Sequence, residues 1–82
     1  MDGTALRALR KTADIRIAPL ARAMEVSATR IIAIERTPQV GARVTARYLH
    51  GLNVLIEATR ARHESTLRII KTLQSQGVEP GA

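Results

Sequence analysis

Any chemistry in this sequence rests mainly on arginine. Eleven of its thirteen basic residues are Arg, against seven Asp and Glu, and the formal net charge is +6 with an isoelectric point near 11.4. A guanidinium forks onto phosphate oxygens and guanine edges, so a small domain this rich in Arg suits a polyanion. A GC-rich coding sequence by itself raises Arg over Lys, so the excess charge carries the inference and the ratio does not. The charge is uneven. Residues 1–53 hold nine basic and four acidic side chains, net +5, while residues 54–82 hold four and three, net +1. The polyanion-binding half is therefore the N-terminal one. A basic protein with no polyanion partner is the bland alternative.

Catalysis lacks its parts. His50 and His63 have no metal-ligand spacing, and His63-Glu64 is only a neighbouring pair. Ser27, Ser65 and Ser75 have no nucleophile-elbow context, and the five Gly form no phosphate loop. The absence of Cys excludes disulfides, thiol chemistry and Cys-based zinc. With Tyr48 as its one aromatic residue, the chain does not suit modules that stack bases on exposed rings. Neither an enzyme nor a cofactor nor a metal is expected.

The elements that must position the arginines read as helix after helix. With 82 residues, 45% apolar and 24% charged, the chain has the size and composition of one globular domain with an aliphatic core. Apolar positions recur at three- and four-residue spacing, which predicts an all-α fold of four to five helices. The first helix runs from about Thr4 to Ala13, capped by Asp2 or Thr4, with Leu6, Leu9 and Ala13 inward. A link, Asp14-Ile15-Arg16, leads to a second from about Ala18 to Met24, where Pro19 fits only the first turn. Leu20, Ala21 and Met24 face inward there. After a tight turn at Glu25-Val26, Ser27 caps a third helix, Ala28 to Arg36, with Ile31 and Ile34 inward. Thr37-Pro38 stops it. A fourth helix, about Arg43 to Leu52, buries Val44, Tyr48 or Leu49, and Leu52. Asn53 either ends it or is absorbed into a longer helix. A fifth runs from about Val54 to Gln76, and Gly77 with the tail to Ala82 ends it.

Two short helices joined by a tight turn, with small Ala21 where they cross, leave the second one proud. That geometry suits insertion into a DNA major groove. Here the chain resembles the phage-repressor and Cro-type helix-turn-helix family (Xre-like, lambda-repressor-like). The resemblance rests on Leu9-Arg10, Leu20-Ala21, Val26-Ser27, Ile31, Ile34-Glu35-Arg36 and Tyr48-Leu49-His50-Gly51-Leu52-Asn53-Val54. It spans about residues 5 to 54, roughly two-thirds of the chain.

The resemblance implies residue roles. Arg10 and Glu35 match a buried ion pair tying the first helix to the recognition helix. Ala28, Thr29, Ile32, Ala33 and Arg36 share the outward face that meets base edges. Ser27 caps that helix and touches a phosphate. Arg30 and Arg36 read guanine or bind phosphate, phosphate being the commoner contact. Arg43 is a phosphate or minor-groove candidate, and Arg16 and Arg22 fit backbone contacts. Three positions depart from the family pattern. Glu25 stands where a Gly is preferred, Ile17 and Pro19 replace a polar phosphate clamp, and Thr37-Pro38 replaces a Gly-containing exit.

The last helix carries a seam: Leu52, Ile56, Thr59, His63, Thr66, Ile70 and Leu73 alternate by four and three, with polar members in the middle. Leu67 and Ile69 flank it. Two readings stand: a dimer interface that sets two recognition helices on two DNA half-sites, or packing back onto its own domain. The expected organisation is a helix-turn-helix domain over 1–54, a dimerisation or partner helix over 55–76, and a flexible tail over 77–82. The expected function is a Cro-like repressor binding double-stranded DNA as a homodimer. The rivals are an antitoxin or accessory protein with a protein partner on its C-terminal helix, and an interaction module that has lost DNA contact. Membrane-surface binding by the last helix fits its scattered Arg poorly. The longest apolar run is Ile31-Ile32-Ala33-Ile34, so no membrane span or secretory leader is expected, and the expected location is the cytoplasm of a bacterial or phage-infected cell.

Overall fold

A computed structural model describes residues 1–77. The chain forms four helices, α1 (Gly3–Thr12), α2 (Ile17–Met24), α3 (Ala28–Glu35) and α4 (Ala42–Ser75), with no strand among the described residues. Residues 78–82 of the expected tail lie outside them. Gly77, the first residue of that tail, follows the end of α4 at φ 77°.

The local signals act as their chemistry demands. The Asp2 carboxylate accepts the Thr4 N–H at 2.9 Å and opens α1. Ser27 Oγ accepts the Arg30 N–H at 3.1 Å and opens α3. Pro19 sits in the first turn of α2, where no intrahelical N–H is missed. The two turns are built alike. α1 and α2 each end on an acidic residue in the left-handed region, Asp14 and Glu25, both at φ 57°. The next N–H reaches back five residues, from Ile15 to the Arg10 carbonyl at 3.1 Å and from Val26 to the Ala21 carbonyl at 2.9 Å. Ile15 and Val26 then turn inward against the core. These are Schellman ends without their usual glycine. Glu25 thus keeps the tight turn in the conformation that a Gly would take.

The core consists of Leu6, Leu20, Ala21, Met24, Ile31, Ile34, Val40, Tyr48 and Leu52. α2 packs on α3 and α4, and α1 packs on the same two helices. The inner face of α1 differs from the expected one. Leu9 is 42% exposed and Arg10 is buried, because Gly3, Leu6 and Arg10 fall on one helical stripe and Leu9 falls to its side. Of the two candidates on α4, Tyr48 is fully buried and Leu49 is exposed.

Two glycines allow the close approaches. A Cβ on Gly3 would overlap the Ile34 carbonyl oxygen and stand 2.8 Å from the Glu35 carbonyl, both rigid backbone. A Cβ on Gly51 would stand 2.9 Å from Leu20 Cδ1 and 3.0 Å from Met24 Cγ. The start of the chain is held by the α3–α4 loop: the Gly3 N–H donates to the Thr37 carbonyl at 2.9 Å and the Val40 N–H to the Met1 carbonyl at 2.8 Å.

The fourth and fifth expected helices are one. α4 runs unbroken through Asn53 for 34 residues, so the boundary placed at residue 54 falls inside a helix. Its first part is built into the core through Tyr48, Gly51 and Leu52. From Arg60 onward every described residue is exposed. The helix therefore projects and does not fold back, which gives the molecule its 55 × 20 × 20 Å extents.

Two substitutions test this packing by thermal or urea unfolding. Glu25→Gly removes the left-handed cost and is expected to stabilise by about 1 kcal/mol. Gly3→Ala drives a methyl into backbone and is expected to cost about 2–3 kcal/mol.

Candidate nucleic-acid interface

α3 is held from within and left open outside. Ile31 and Ile34 anchor it in the core, and Glu35 at its last turn is buried. Arg10 meets Glu35 in a two-pronged pair: Nε donates to Oε2 at 2.7 Å and Nη2 to Oε1 at 3.0 Å. The third arm, Nη1, donates to the Ile15 carbonyl at 2.9 Å, which ties the α1–α2 link to the same guanidinium. The Tyr48 hydroxyl donates to Glu35 Oε2 at 2.6 Å and lies 3.3 Å from the Leu6 carbonyl. One carboxylate thus receives three donors from α1 and α4, and among the described residues no buried side-chain polar atom lacks a partner.

The electrostatics follow from that arrangement. Burial pushes the Glu35 carboxyl up, but the hydrogen bonds from Arg10 and Tyr48, with the charges of Arg10 and Arg7, outweigh it and leave it below its ordinary value. Arg10 is held still more firmly protonated, first by its hydrogen bond to Glu35. Burial, and then the neighbouring Glu35 carboxylate, push the Tyr48 phenol well above its ordinary value. The cluster is therefore fixed as cation, anion and neutral phenol near neutral pH.

Outside, Ala28, Thr29, Arg30, Ile32, Ala33 and Arg36 are all exposed, with Ser27 at the helix start. Ile32 is 38% exposed, a large apolar side chain on an otherwise small-residue face. Two grooves flank α3. One, of about 440 Å³, is walled by Thr4 and Arg7 of α1, Ile17 of α2, and Ile32 and Arg36. The other, of about 150 Å³, brings Arg30 and Ala33 beside Thr37, Gln39 and Gly41 of the α3–α4 loop. Arg36 and Arg30 therefore border opposite sides of the exposed face. Arg16 is exposed at the start of α2 beside Ile17. Arg22 and Arg43 are exposed and line neither groove.

Two arginines escaped the sequence reasoning. Arg7 shares the larger groove with Arg36. Its position one turn before Arg10, three residues away, was the available signal. Arg47 Nη2 donates to the Met24 carbonyl at 2.9 Å and closes the C-terminal end of α2 across to α4. That contact joins residues 23 apart and leaves no local pattern. The apolar first turn of α2, Ile17-Ala18-Pro19, receives no side-chain cap from Arg16. Among the described residues no group of three or more His, Asp or Glu converges as a metal site would require, and no helix is long and apolar enough to cross a membrane.

Comparison with known proteins gives no relative: no family model, curated protein or solved structure matches the chain.

The buried cluster makes two predictions. Glu35→Gln leaves Arg10 buried without its counter-charge and is expected to cost about 3 kcal/mol or more in unfolding free energy, whereas Arg10→Met with Glu35→Leu together is expected to cost far less. The acid arm follows from linkage. Unfolded, the Glu35 carboxyl titrates near 4.5, and folded it titrates lower. Its contribution is complete above pH 4.5 and is lost as the pH falls through the folded value, so stability measured by urea unfolding should drop on that side, less steeply in Glu35→Gln.

Proposed function

We propose that this chain is a Cro-type (lambda-repressor-like) helix-turn-helix regulator that binds double-stranded DNA as a homodimer on a short operator. The observation that carries the reading is the treatment of α3. Its inner face and last turn are locked by Ile31, Ile34 and the Arg10–Glu35 pair, while Ala28, Thr29, Arg30, Ile32, Ala33 and Arg36 stay exposed. A helix held this way is a rigid reading head, and a net charge of +6 supplies the attraction to phosphate.

In this reading α3 lies in the major groove. Thr29, Ile32 and the two alanines meet thymine methyls, and Arg30 and Arg36 take phosphates on either side or a guanine edge. Arg7 joins Arg36 on the α1 side, and Arg16, Arg22 and Arg43 extend the phosphate contacts. Ser27 caps α3 and faces a phosphate. With few hydrogen-bonding groups on α3, the protein would favour T-rich half-sites. The α4 seam through Ile56, Thr59, His63, Thr66, Ile70 and Leu73 joins two copies. Control then follows protein concentration or competition for the site.

The exposed Ile32 between two alanines also favours a second reading, in which this face docks on a protein and the chain is an antitoxin-like or accessory module.

Selection of bound duplexes from a random library decides between them. Enrichment of an inverted repeat is expected, with affinity falling about a thousandfold from 50 to 200 mM salt for six phosphate contacts. Arg36→Ala is expected to weaken binding to all sequences and lower the salt slope by about one if that residue takes a phosphate. Absence of enrichment, with salt-insensitive weak binding, overturns the regulator reading in favour of the protein-docking one.

A further inference from the structure

α4 leaves its own body as a bare helix, and a cleft opens at its root. Ala13, Asp14 and Ile15 form one wall of this cleft of about 380 Å³, and Ile56, Thr59 and His63 form the other. Those three α4 residues are the first half of the seam. The second half, Thr66, Ile70 and Leu73, lies where α4 is exposed all round. Ile70 and Leu73 are 42% and 43% exposed, and Leu67 and Ile69 beside them 55% and 60%. Four large apolar side chains exposed along one unpartnered stretch are the kind of surface that serves as an interaction site.

The two halves of the seam can face each other. Counted inward from both ends, the seam sets Ile56 with Leu73, Thr59 with Ile70, and His63 with Thr66. Apolar meets apolar at the ends, His63 meets Thr66 at the centre, and between them the Thr59 methyl faces Ile70. An antiparallel pairing of two copies brings these residues face to face in one register, and a parallel pairing sets each on its own copy, His63 on His63 included, so residue matching alone does not choose between them. The cleft makes the choice, and it is steric. The α1–α2 link stands over the first half of the seam, so two parallel bodies would crowd each other at one level. In the antiparallel arrangement only the bare distal half of the other copy reaches the cleft.

Charge and area agree. Asp14, on the lip of the cleft, is exposed and forms no ion pair among the described residues. The flank of the distal half carries Lys71. A stable pair needs about 800 Å² buried per copy. That requires nearly the whole seam from Ile56 to Leu73, an overlap about 26 Å long at 1.5 Å per residue.

We propose that two copies of this chain pair antiparallel by reciprocal insertion: Ile70 and Leu73 of each enter the cleft of the other, with Lys71 against Asp14. The proposal rests on the homodimer of the functional reading and gives it a geometry. It places the two bodies at opposite ends of the overlap, with the two Tyr48 residues about 50 Å apart. The operator half-sites are then farther apart than the one DNA turn of about 34 Å expected for adjacent bodies.

The native chain has no Cys, so single cysteines report pairing without background. Ile56→Cys and Leu73→Cys fall on exposed positions. After mild oxidation, a mixture of the two variants is expected to give a covalent dimer of one copy each, and neither variant alone is expected to cross-link. Cross-linking of each variant with itself means a parallel pair and overturns the proposed geometry. A monomer in sedimentation with no cross-link in any mixture overturns it too. Duplex binding by the unmodified chain, measured separately, shows whether the DNA reading fails with it. Asp14→Lys or Lys71→Asp alone is expected to weaken association two- to fivefold, about the worth of an exposed charge pair, and the double variant to restore it. A double variant no tighter than the singles overturns the Asp14–Lys71 contact.

Discussion

The Glu35 carboxylate is the point on which the rest of this fold depends. It is charged, buried, and answered by Arg10 from α1 and Tyr48 from α4. Arg10 also takes up the Ile15 carbonyl, so the same ion pair fixes where the α1–α2 link leaves α1. Helices as short as eight residues have little stability of their own, and α2 and α3 are both that length. They hold their places because the core and this polar node hold both ends of the arrangement. Ion pairing of this kind adds little net stability over an apolar replacement, but it is unforgiving of misplacement. A rotation of α3 by one residue would strand a buried charge. The node therefore fixes which face of α3 stays outside, and that face is what the proposed function uses.

Much of this was legible in local chemistry. Ser27 as a cap, Pro19 in a first turn, Thr37-Pro38 as a stop and the turn at Glu25-Val26 are all short-range signals, and the structure obeys them. The Arg10–Glu35 pair was legible only through the family resemblance, since 25 residues separate its partners. Other features had no local trace. The Tyr48 hydroxyl, the approach of Gly3 to the α3 carbonyls and the Arg47 contact with Met24 are set by tertiary placement. The sequence does not separate Leu9 from Leu6, because two adjacent stripes of α1 both carry Leu. Only the partner helices decide which stripe is inner, and they select the one bearing Arg10. Asn53, a weak helix former but not a breaker, does not by itself decide the continuity of α4. With Tyr48 and Leu52 packed before it and Leu55 packed after it, the helix has no reason to stop there.

The candidate interface combines two properties on one helix. Its floor is apolar, Ile32 among the small Ala28 and Ala33, and its edges are cationic, Arg30 on one side and Arg36 with Arg7 on the other. Cationic edges around an apolar floor suit a groove whose walls are phosphate and whose base carries methyl groups. A protein partner would find the same floor attractive but would need acidic groups to answer the rim. The charge therefore separates the two readings better than the apolar residues do, because dispersion contacts form with either partner and only a polyanion answers every arginine at once.

The long helix extends the same logic to assembly. A body of three short helices has a small surface, and in the proposed function one α3 would offer few hydrogen-bonding groups with which to discriminate base pairs. Specificity at a single half-site would then be modest, since each well-read base pair contributes roughly 1–3 kcal/mol of discrimination. Doubling the half-sites through a rigid connection is the direct physical remedy, because linked contacts raise affinity without any new chemistry at the reading face. A flexible linker would share that gain only in part. A helix continuous from the core residue Tyr48 to Ser75 holds its seam at a fixed angle to α3. The Glu35 node, which orients α3 against α1, and Tyr48, which ties that node to α4, thereby set the angle between the exposed face of α3 and the seam of α4 through one shared carboxylate.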